Sequence, residues 1–335
     1  MYTLQLKTKL AYFCLVFIVL NTACNSSNDD DYTNIRLETI AQLPSILDGI
    51  SGLSYFKNGS EWQLWGHNDS YRSPNIYRIN PLSGEIIQTI EIEDDGNPFW
   101  NMDWEDMTDD ENHIYIANTG NNMAGDRGAN VENGRSDSLV IYKIAKSKIP
   151  ASTTGKIENK DVEKIYFAYK EQTPPLSRQE PNDTEYDCEA IAYANGKIHL
   201  FTKNWKHSQT THYELPIEAG TYVIEAIETI QLESYQLVTG ADYKNNRLCL
   251  IGYSTGLQTF ASVFDGLEAS NFKLLQAKKR SNLAIGASWR FGQIESLAIK
   301  PNGDAIFANE KLIPPETFNN SPIPPALHSL KLSGL

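Results

Sequence analysis

Cysteine is scarce in this chain, with four among 335 residues, and none falls in a zinc-binding spacing. Two of them, Cys188 and Cys249, lie in expected core strands. They form either a disulfide, if the compartment is oxidising, or a pair of buried free thiols. The six histidines include no HExxH and no paired spacing, which removes the usual metalloprotease signature. No Gly-x-Ser-x-Gly elbow occurs, so a serine hydrolase has no support. Basic residues are in deficit, 29 Lys and Arg against 42 Asp and Glu, for a net charge of −13. Nucleic acid is therefore not an expected partner, because phosphate binding needs basic stripes. Beyond the first 24 residues no long helical pattern survives.

The N-terminus reads as an address. Lys7 and Lys9 give a positive start, Leu10 to Leu20 is an apolar run, and Asn21-Thr22-Ala23 is a small or polar exit. The run is shorter than the roughly 20 residues a spanning helix needs. Cys24 directly after that exit resembles a bacterial lipobox, with Asn21 departing from the usual aliphatic residue. The resemblance implies a lipoprotein signal peptide over 1–24 and a lipidated Cys24; plain cleavage and secretion is the alternative. Losing Lys7 and Lys9 takes the net charge from −13 to −15. Residues 25–34, opening Asn25-Ser26-Ser27-Asn28-Asp29-Asp30-Asp31, form an acidic tether too poor in apolar residues to fold. A short acidic run at this place looks like the surface-export signal of Bacteroidota lipoproteins, and is also simply a solvated spacer. The expected location is the cell envelope, at the outer membrane and exposed, with the lipid as the membrane contact.

What remains, 35–335, is read as one all-β domain. Five stretches repeat a pattern: Ile50-Ser51-Gly52-Leu53-Ser54, Trp104-Glu105-Asp106-Met107-Thr108, Cys188-Glu189-Ala190-Ile191-Ala192, Val238-Thr239-Gly240-Ala241-Asp242 and Ile294-Glu295-Ser296-Leu297-Ala298. Each leads through a tight turn to a second apolar run. Repeats at roughly 40–50 residues mean a propeller or another array. Five motifs predict five blades; the gap between Glu105 and Glu189 has room for a sixth, degenerate one. Blade three is expected to end in Val223–Gln231 and blade four in Phe272–Ala277. Blade five lacks an outer strand, and Ile35–Leu43 is an orphan that can supply it and close the ring.

Turns between first and second strands are short, such as Ala194-Asn195-Gly196 and Lys244-Asn245-Asn246. Asn118–Ser136, Glu171–Tyr186, Asn204–Thr211, Lys278–Gln293 and Asn309–Pro325 are long and should gather on one face, where binding tends to reside. The starts of the first strands bring Ser51, Glu105, Glu189, Thr239 and Glu295 to that face. The ends of the second strands bring His67-Asn68-Asp69, Asn118, Lys203-Asn204, Ser254 and Asn309-Glu310-Lys311. Glu105, Glu189 and Glu295 around a narrow channel repel one another unless a cation or donors compensate. Hard oxygen ligands of this kind suit calcium, and Asp103, Asp187 and Asp106 add carboxylates nearby. Lys203, Lys311 and Arg290 could offset the charge or hold an anionic ligand. The competing reading is that the glutamates latch neighbouring blades by accepting backbone hydrogen bonds. Of the six tryptophans, Trp100 and Trp205 sit in loops and are the better ligand candidates; the others fit blade packing.

Asp103-Trp104-Glu105-Asp106-Met107 followed by Ile114 to Asn122, and Asp187-Cys188-Glu189-Ala190 followed by Leu200 to Trp205, resemble a family of uncharacterised secreted or lipid-anchored propellers of Bacteroidota. A looser likeness is to calcium-activated nucleotidases (apyrases), which have five blades, glutamates opening the inner strands and calcium in the channel; Ser51 and Thr239 depart from that pattern. Phytase-like propellers are looser still. The expected function is a non-catalytic, surface-anchored binding or scaffold module, monomeric, taking a small molecule, glycan, protein or calcium at the channel mouth. The alternative is a calcium-dependent phosphoester hydrolase in which Glu105, Glu189 and Glu295 hold the ion.

Overall fold

In the computed structural model the innermost strands run almost without exposed residues. Gln236–Lys244 is buried from Gln236 to Asp242, and Asp187–Ala194 is buried at all but Tyr193. A strand with channel on one edge and neighbouring blades on both faces has no water-facing side, so the two-residue alternation of an exposed sheet disappears. The outer strands, such as Ala226–Gln231, return to mixed exposure. The structure describes residues 32–69, 73–94, 97–98, 102–122, 127, 139–172, 181–233, 235–314 and 321–335. The leader, Cys24, most of the acidic tether, Trp100 and much of the Asn118–Ser136 loop lie outside those residues.

Five sheets form the five blades of a β-propeller. Their innermost strands are Ile50–Asn58, Trp104–Asp109, Asp187–Ala194, Gln236–Lys244 and Gln293–Ile299, each starting an antiparallel meander. One sheet fills the gap between Glu105 and Glu189, so there is no sixth blade. Apolar packing follows the seams. Five clusters of buried side chains each join two neighbouring blades, including Trp65 with Trp104, Tyr115 with Ile191, Phe201 with Val238, Cys249 with Leu297, and Ala298 with Leu53. The fifth seam joins the last blade to the first, so the ring is closed. Cys188 and Cys249 sit in different seams as free thiols, and burial pushes both up to about 12.

Closure comes from the N-terminal side. Glu38–Gln42 pairs antiparallel with Ala326–Leu330 as the outermost strand of blade five. Three further strands add in parallel at blade edges. Tyr32–Asn34 joins blade four, Thr154–Ile157 joins blade one and Gly220–Ile224 joins blade two. The expected outer strand Val223–Gln231 is therefore two strands in two sheets, with Ala226–Gln231 alone completing blade three. Blade four ends in Lys279–Ala287, a segment expected as loop, whereas the expected strand Phe272–Ala277 holds a 3-10 turn, Leu274–Gln276. Phe272 adopts a left-handed backbone at φ 60° and stacks its ring on His199, centroids 3.8 Å apart. That burial takes it out of any edge strand.

The repeated motif has a structural cause. In every blade the innermost strand slips register once, and the residues at the slip are Ser51, Glu105 with Asp106, Glu189, Thr239 and Glu295. Each motif is thus a β-bulge, an extra residue that bends the strand and re-aims a side chain.

Candidate functional site

Four of the five bulge positions line the loop-rich mouth of the channel, Thr239 being the exception. A polar cavity of about 220 Å³ opens there, lined by Ser51, Glu105, Glu189 and Glu295 together with Asp69, Asp103, Lys203, Trp205, Tyr253 and Glu310. A larger basin, about 1200 Å³, opens on the opposite face among the first-to-second-strand turns. Two of its lysines are spent on the scaffold. Lys146 donates to Asp109 at 2.8 Å, and Lys244 to the Tyr55 carbonyl at 2.7 Å.

The polar residues of the five motifs divide into two kinds. Ser51 donates its hydroxyl to the Glu105 carbonyl of the next blade, and Thr239 donates to the Ile294 carbonyl at 2.9 Å. Asp106 accepts from the Met107 amide at 2.8 Å, from Ile191 of blade three at 2.9 Å and from Ala241 of blade four at 3.2 Å. Asp242 accepts from Tyr243 at 2.8 Å and from Ile299 of blade five at 2.7 Å. Latching between blades therefore falls to Ser51, Thr239, Asp106 and Asp242, and the glutamates are left for other work.

Glu105, Glu189 and Asp187 each bring a carboxylate oxygen within 4.8 Å of the other two, and all three are buried. Asp187 stands one residue before the blade-three motif. Its Oδ1 accepts from the Asn121 amide at 2.6 Å and its Oδ2 from Trp205 Nε1 at 2.7 Å. Glu189 accepts from Lys203 Nζ at 2.6 Å, and the same ammonium donates to the Tyr253 hydroxyl at 2.9 Å. Glu295 sits in the same cavity but outside the group of three, its carboxylate held by Gln293 Nε2. Glu105 differs from all of these. It is 7% exposed, and among the described residues no donor reaches its carboxylate.

The electrostatics follow from burial. Glu105 is held well above the usual carboxylate range, first by desolvation and then by Glu189, Asp103 and Asp187, with Lys203 pulling the other way. Burial works to discharge Lys203, but Glu189, Tyr253, Glu295 and Asp187 outweigh it and raise its pKa well above the ordinary value. Glu189 is raised as well, first by burial, with Lys203 pulling it back down and Asp187 and Glu295 pushing it up, so the two glutamates compete for one ammonium.

Backbone close to the cluster is shaped to make room. A Cβ on Gly120 would stand 2.0 Å from Glu105 Oε1 and 2.3 Å from Asp103 Oδ2. Gly120 is held there by its amide on the Asp103 carbonyl, 3.2 Å, and its own carbonyl accepts from the Arg127 guanidinium. We predict that Gly120→Ala displaces the Glu105 carboxylate and costs at least tenfold in any binding at this cavity, with a stability loss of about 1–3 kcal/mol typical of overpacking. Titration of the variant beside a urea melt separates the two effects.

The other residues picked from sequence scatter. Asp69, Lys203 and Glu310 line the cavity. His67 is fully buried beneath Gly52, its Nδ1 on the Asn68 carbonyl at 3.0 Å, and burial holds it down to about 4. Asn68 donates to the Ile46 carbonyl at 2.8 Å. Asn118 accepts from the Asp103 amide at 3.2 Å and from Arg127 at 3.0 Å, so it positions the cluster from behind. Asn204 caps a turn by accepting from Lys206 and His207 amides, and Asn309 bonds His328 inside blade five at 2.8 Å. Lys311 pairs with Asp48 at 2.9 Å, and Arg290 is exposed. Sequence reasoning did not select Gly120, Asn121, Arg127, Tyr253 or Gln293. The Asn-Thr-Gly-Asn-Asn run at 118–122 was the available signal, since a small residue between amides marks a close approach.

No protein-family model matches the chain, and no curated protein does. Among solved structures it is similar to a luciferin-regenerating enzyme at 8% identity and TM-score 0.46, over 90% of this chain and 96% of that one. A gluconolactonase from Xanthomonas campestris aligns at 10% identity and TM-score 0.41, covering 88% and 89%. A glucose dehydrogenase aligns at 7% identity and TM-score 0.43, covering 87% and 99%. Scores and identities this low carry no argument about what this chain binds or turns over.

Proposed function

We propose that this propeller is a non-catalytic binding module, carried at the cell envelope by a lipid on Cys24, whose channel mouth takes a divalent cation. One observation carries the reading: the Glu105 carboxylate is buried, has no donor among the described residues, and lies within 4.8 Å of Asp187 and Glu189. Its oxygens open onto the polar cavity beside like-charged neighbours, an arrangement that repels negative charge and that a dication would relieve. The donor set is all oxygen, which suits calcium over softer metals. Glu105 offers both oxygens, Glu189 has Oε1 beyond its bond to Lys203, and each Asp187 oxygen retains a second lone pair.

The hydrolase alternative needs a cation ready to grip phosphate. Lys203 is engaged by Glu189 and Tyr253 and Lys311 by Asp48, while Arg290 is exposed and, like Lys311, is not among the residues lining the cavity. These engagements favour the binding reading.

Calcium at ten times its Kd stabilises a folded protein by about 1.4 kcal/mol, roughly 3–5 °C in a domain of this size. We expect that rise in Tm for the wild type over an EDTA control, and none for Glu105→Gln. An unchanged wild-type Tm sinks the cation reading. Chelator-sensitive phosphate release from a nucleotide or phytate would return the enzyme to the front.

A further inference from the structure

We infer that Lys203 is a tethered counter-ion: its ammonium and an incoming divalent cation are alternative occupants of the same carboxylates, so Lys203 sets the affinity of the site. The inference rests on the cation-binding reading above. The ammonium sits in a cage built for a positive charge. Glu189 Oε2 is 2.6 Å away and the Tyr253 hydroxyl 2.9 Å. The Trp205 and Tyr253 ring centroids lie at 4.6 and 5.1 Å, within reach of cation–π attraction. The side chain is 4% exposed, and its backbone is fixed opposite Asp187 in the strand register. One ligand-bearing residue is thus paired with the lysine's backbone and another with its charge.

The charge count shows why both occupants cannot be comfortable together. Among the described residues, Asp69, Asp103, Glu105, Asp187, Glu189, Glu295 and Glu310 line or adjoin the cavity, against the cations Lys203 and Arg127. Carboxylates outnumber these cations seven to two, so the cavity draws positive charge with Lys203 in place. A dication on Glu105, Asp187 and Glu189 must share Glu189 with the ammonium, and like charges that close in a dry site repel strongly. Binding therefore either pushes the ammonium off Glu189 toward Glu295 and Tyr253, or is weakened by it. Glu105 gives the independent sign that something else belongs here: the residue is 7% exposed, faces the cavity and meets no donor among the described residues, while Lys203 satisfies Glu189.

Terbium(III) is the probe. Trp205 donates to Asp187 through Nε1 at 2.7 Å, which places an indole beside the proposed ion as a luminescence sensitiser. The full chain is titrated with terbium, then with calcium as competitor, for the wild type, Lys203→Met and Lys203→Gln. Methionine keeps an unbranched stem between the two rings, and glutamine keeps a donor without the charge. Near-ultraviolet circular dichroism checks that each variant retains its packing. We expect at least tenfold tighter terbium and calcium binding in a folded Lys203 variant, with Glu105→Gln binding neither ion. Equal or weaker binding in the folded variants overturns the inference while leaving the cation site standing. No binding by the wild type or either variant removes the cation reading, and the inference falls with it.

Discussion

Asp106→Ala will melt roughly 6–12 °C below the wild type, a loss of about 3 kcal/mol in a domain of this size. The carboxylate is fully buried and accepts three backbone amides, one in its own strand and one each in blades three and four. Its removal strands those amides in a place water does not reach, and an unsatisfied buried donor costs about 1–3 kcal/mol. Part of that is returned, because burial and the nearby Asp242 already hold the Asp106 pKa well above the carboxylate range. Asp106→Asn will fall between, since one side-chain oxygen remains to accept and the new amide faces donors. Thermal and urea melts of the three proteins are the measurement. A loss under 1 kcal/mol for the alanine variant would show that the amides find other partners and that the carboxylate does not bind the blades together.

Above pH 6.5 the calcium-free protein will lose stability as the pH rises, and calcium will remove the part of that slope due to Glu105. Glu105 and Asp106 are both raised, first by burial and then by neighbouring carboxylates. A carboxyl raised in the folded state contributes stability that is complete below its unfolded value near 4.5 and is lost as the pH climbs through the folded value. The buried histidines have the opposite sign. Desolvation holds His67 and His328 down to about 4 and His199 down to about 2. Their contribution is complete above 6.5 and lost as the pH falls below it, so above 6.5 the histidines are silent, while Glu189, Glu295, Asp242 and the thiols of Cys188 and Cys249, all raised by burial, act with the same sign as Glu105 and Asp106. On the cation reading, calcium competes with the proton for Glu105, so its apparent Kd should fall by up to about tenfold per pH unit in that range. Tm against pH, in EDTA and in calcium, tests both claims. A flat EDTA profile above 6.5, or a calcium shift that ignores pH, contradicts them.

The bulge motif made the ring legible. An extra polar residue at one place in each inner strand recurs whatever its identity, so Ser51 and Thr239 revealed the repeat as well as the glutamates did. Blade five's missing strand was legible by counting. The parallel edge strands Tyr32–Asn34, Thr154–Ile157 and Gly220–Ile224 were not, because an edge addition is held by backbone hydrogen bonds and leaves little side-chain pattern. Lys279–Ala287 hid for a related reason: it opens Lys-Arg-Ser-Asn, as a solvent-facing outer strand can. At the site, motif position singled out Glu105 and Glu189 together with Glu295. Three-dimensional proximity instead joins Asp187 to the first two, since Asp187 stands opposite Lys203 at the end of its strand. Which acids latch and which do not was beyond reach without register: Asp106, adjacent to Glu105, turns to the amides of two other blades.

The clasp in blade five bears on how the molecule is made. Thr39 and His328 meet across 289 positions of sequence, so the clasp strand Glu38–Gln42 has no partner until Ala326–Leu330 has been made. Four blades can assemble on a nascent chain, each with its neighbour, while the seam between first and last stays open to solvent. Topologies dominated by such distant pairings fold slowly and expose unpaired edges meanwhile. Holdase chaperones would find their target in that unsealed edge, and shortening the clasp strand should lengthen their hold without altering any residue of the channel mouth.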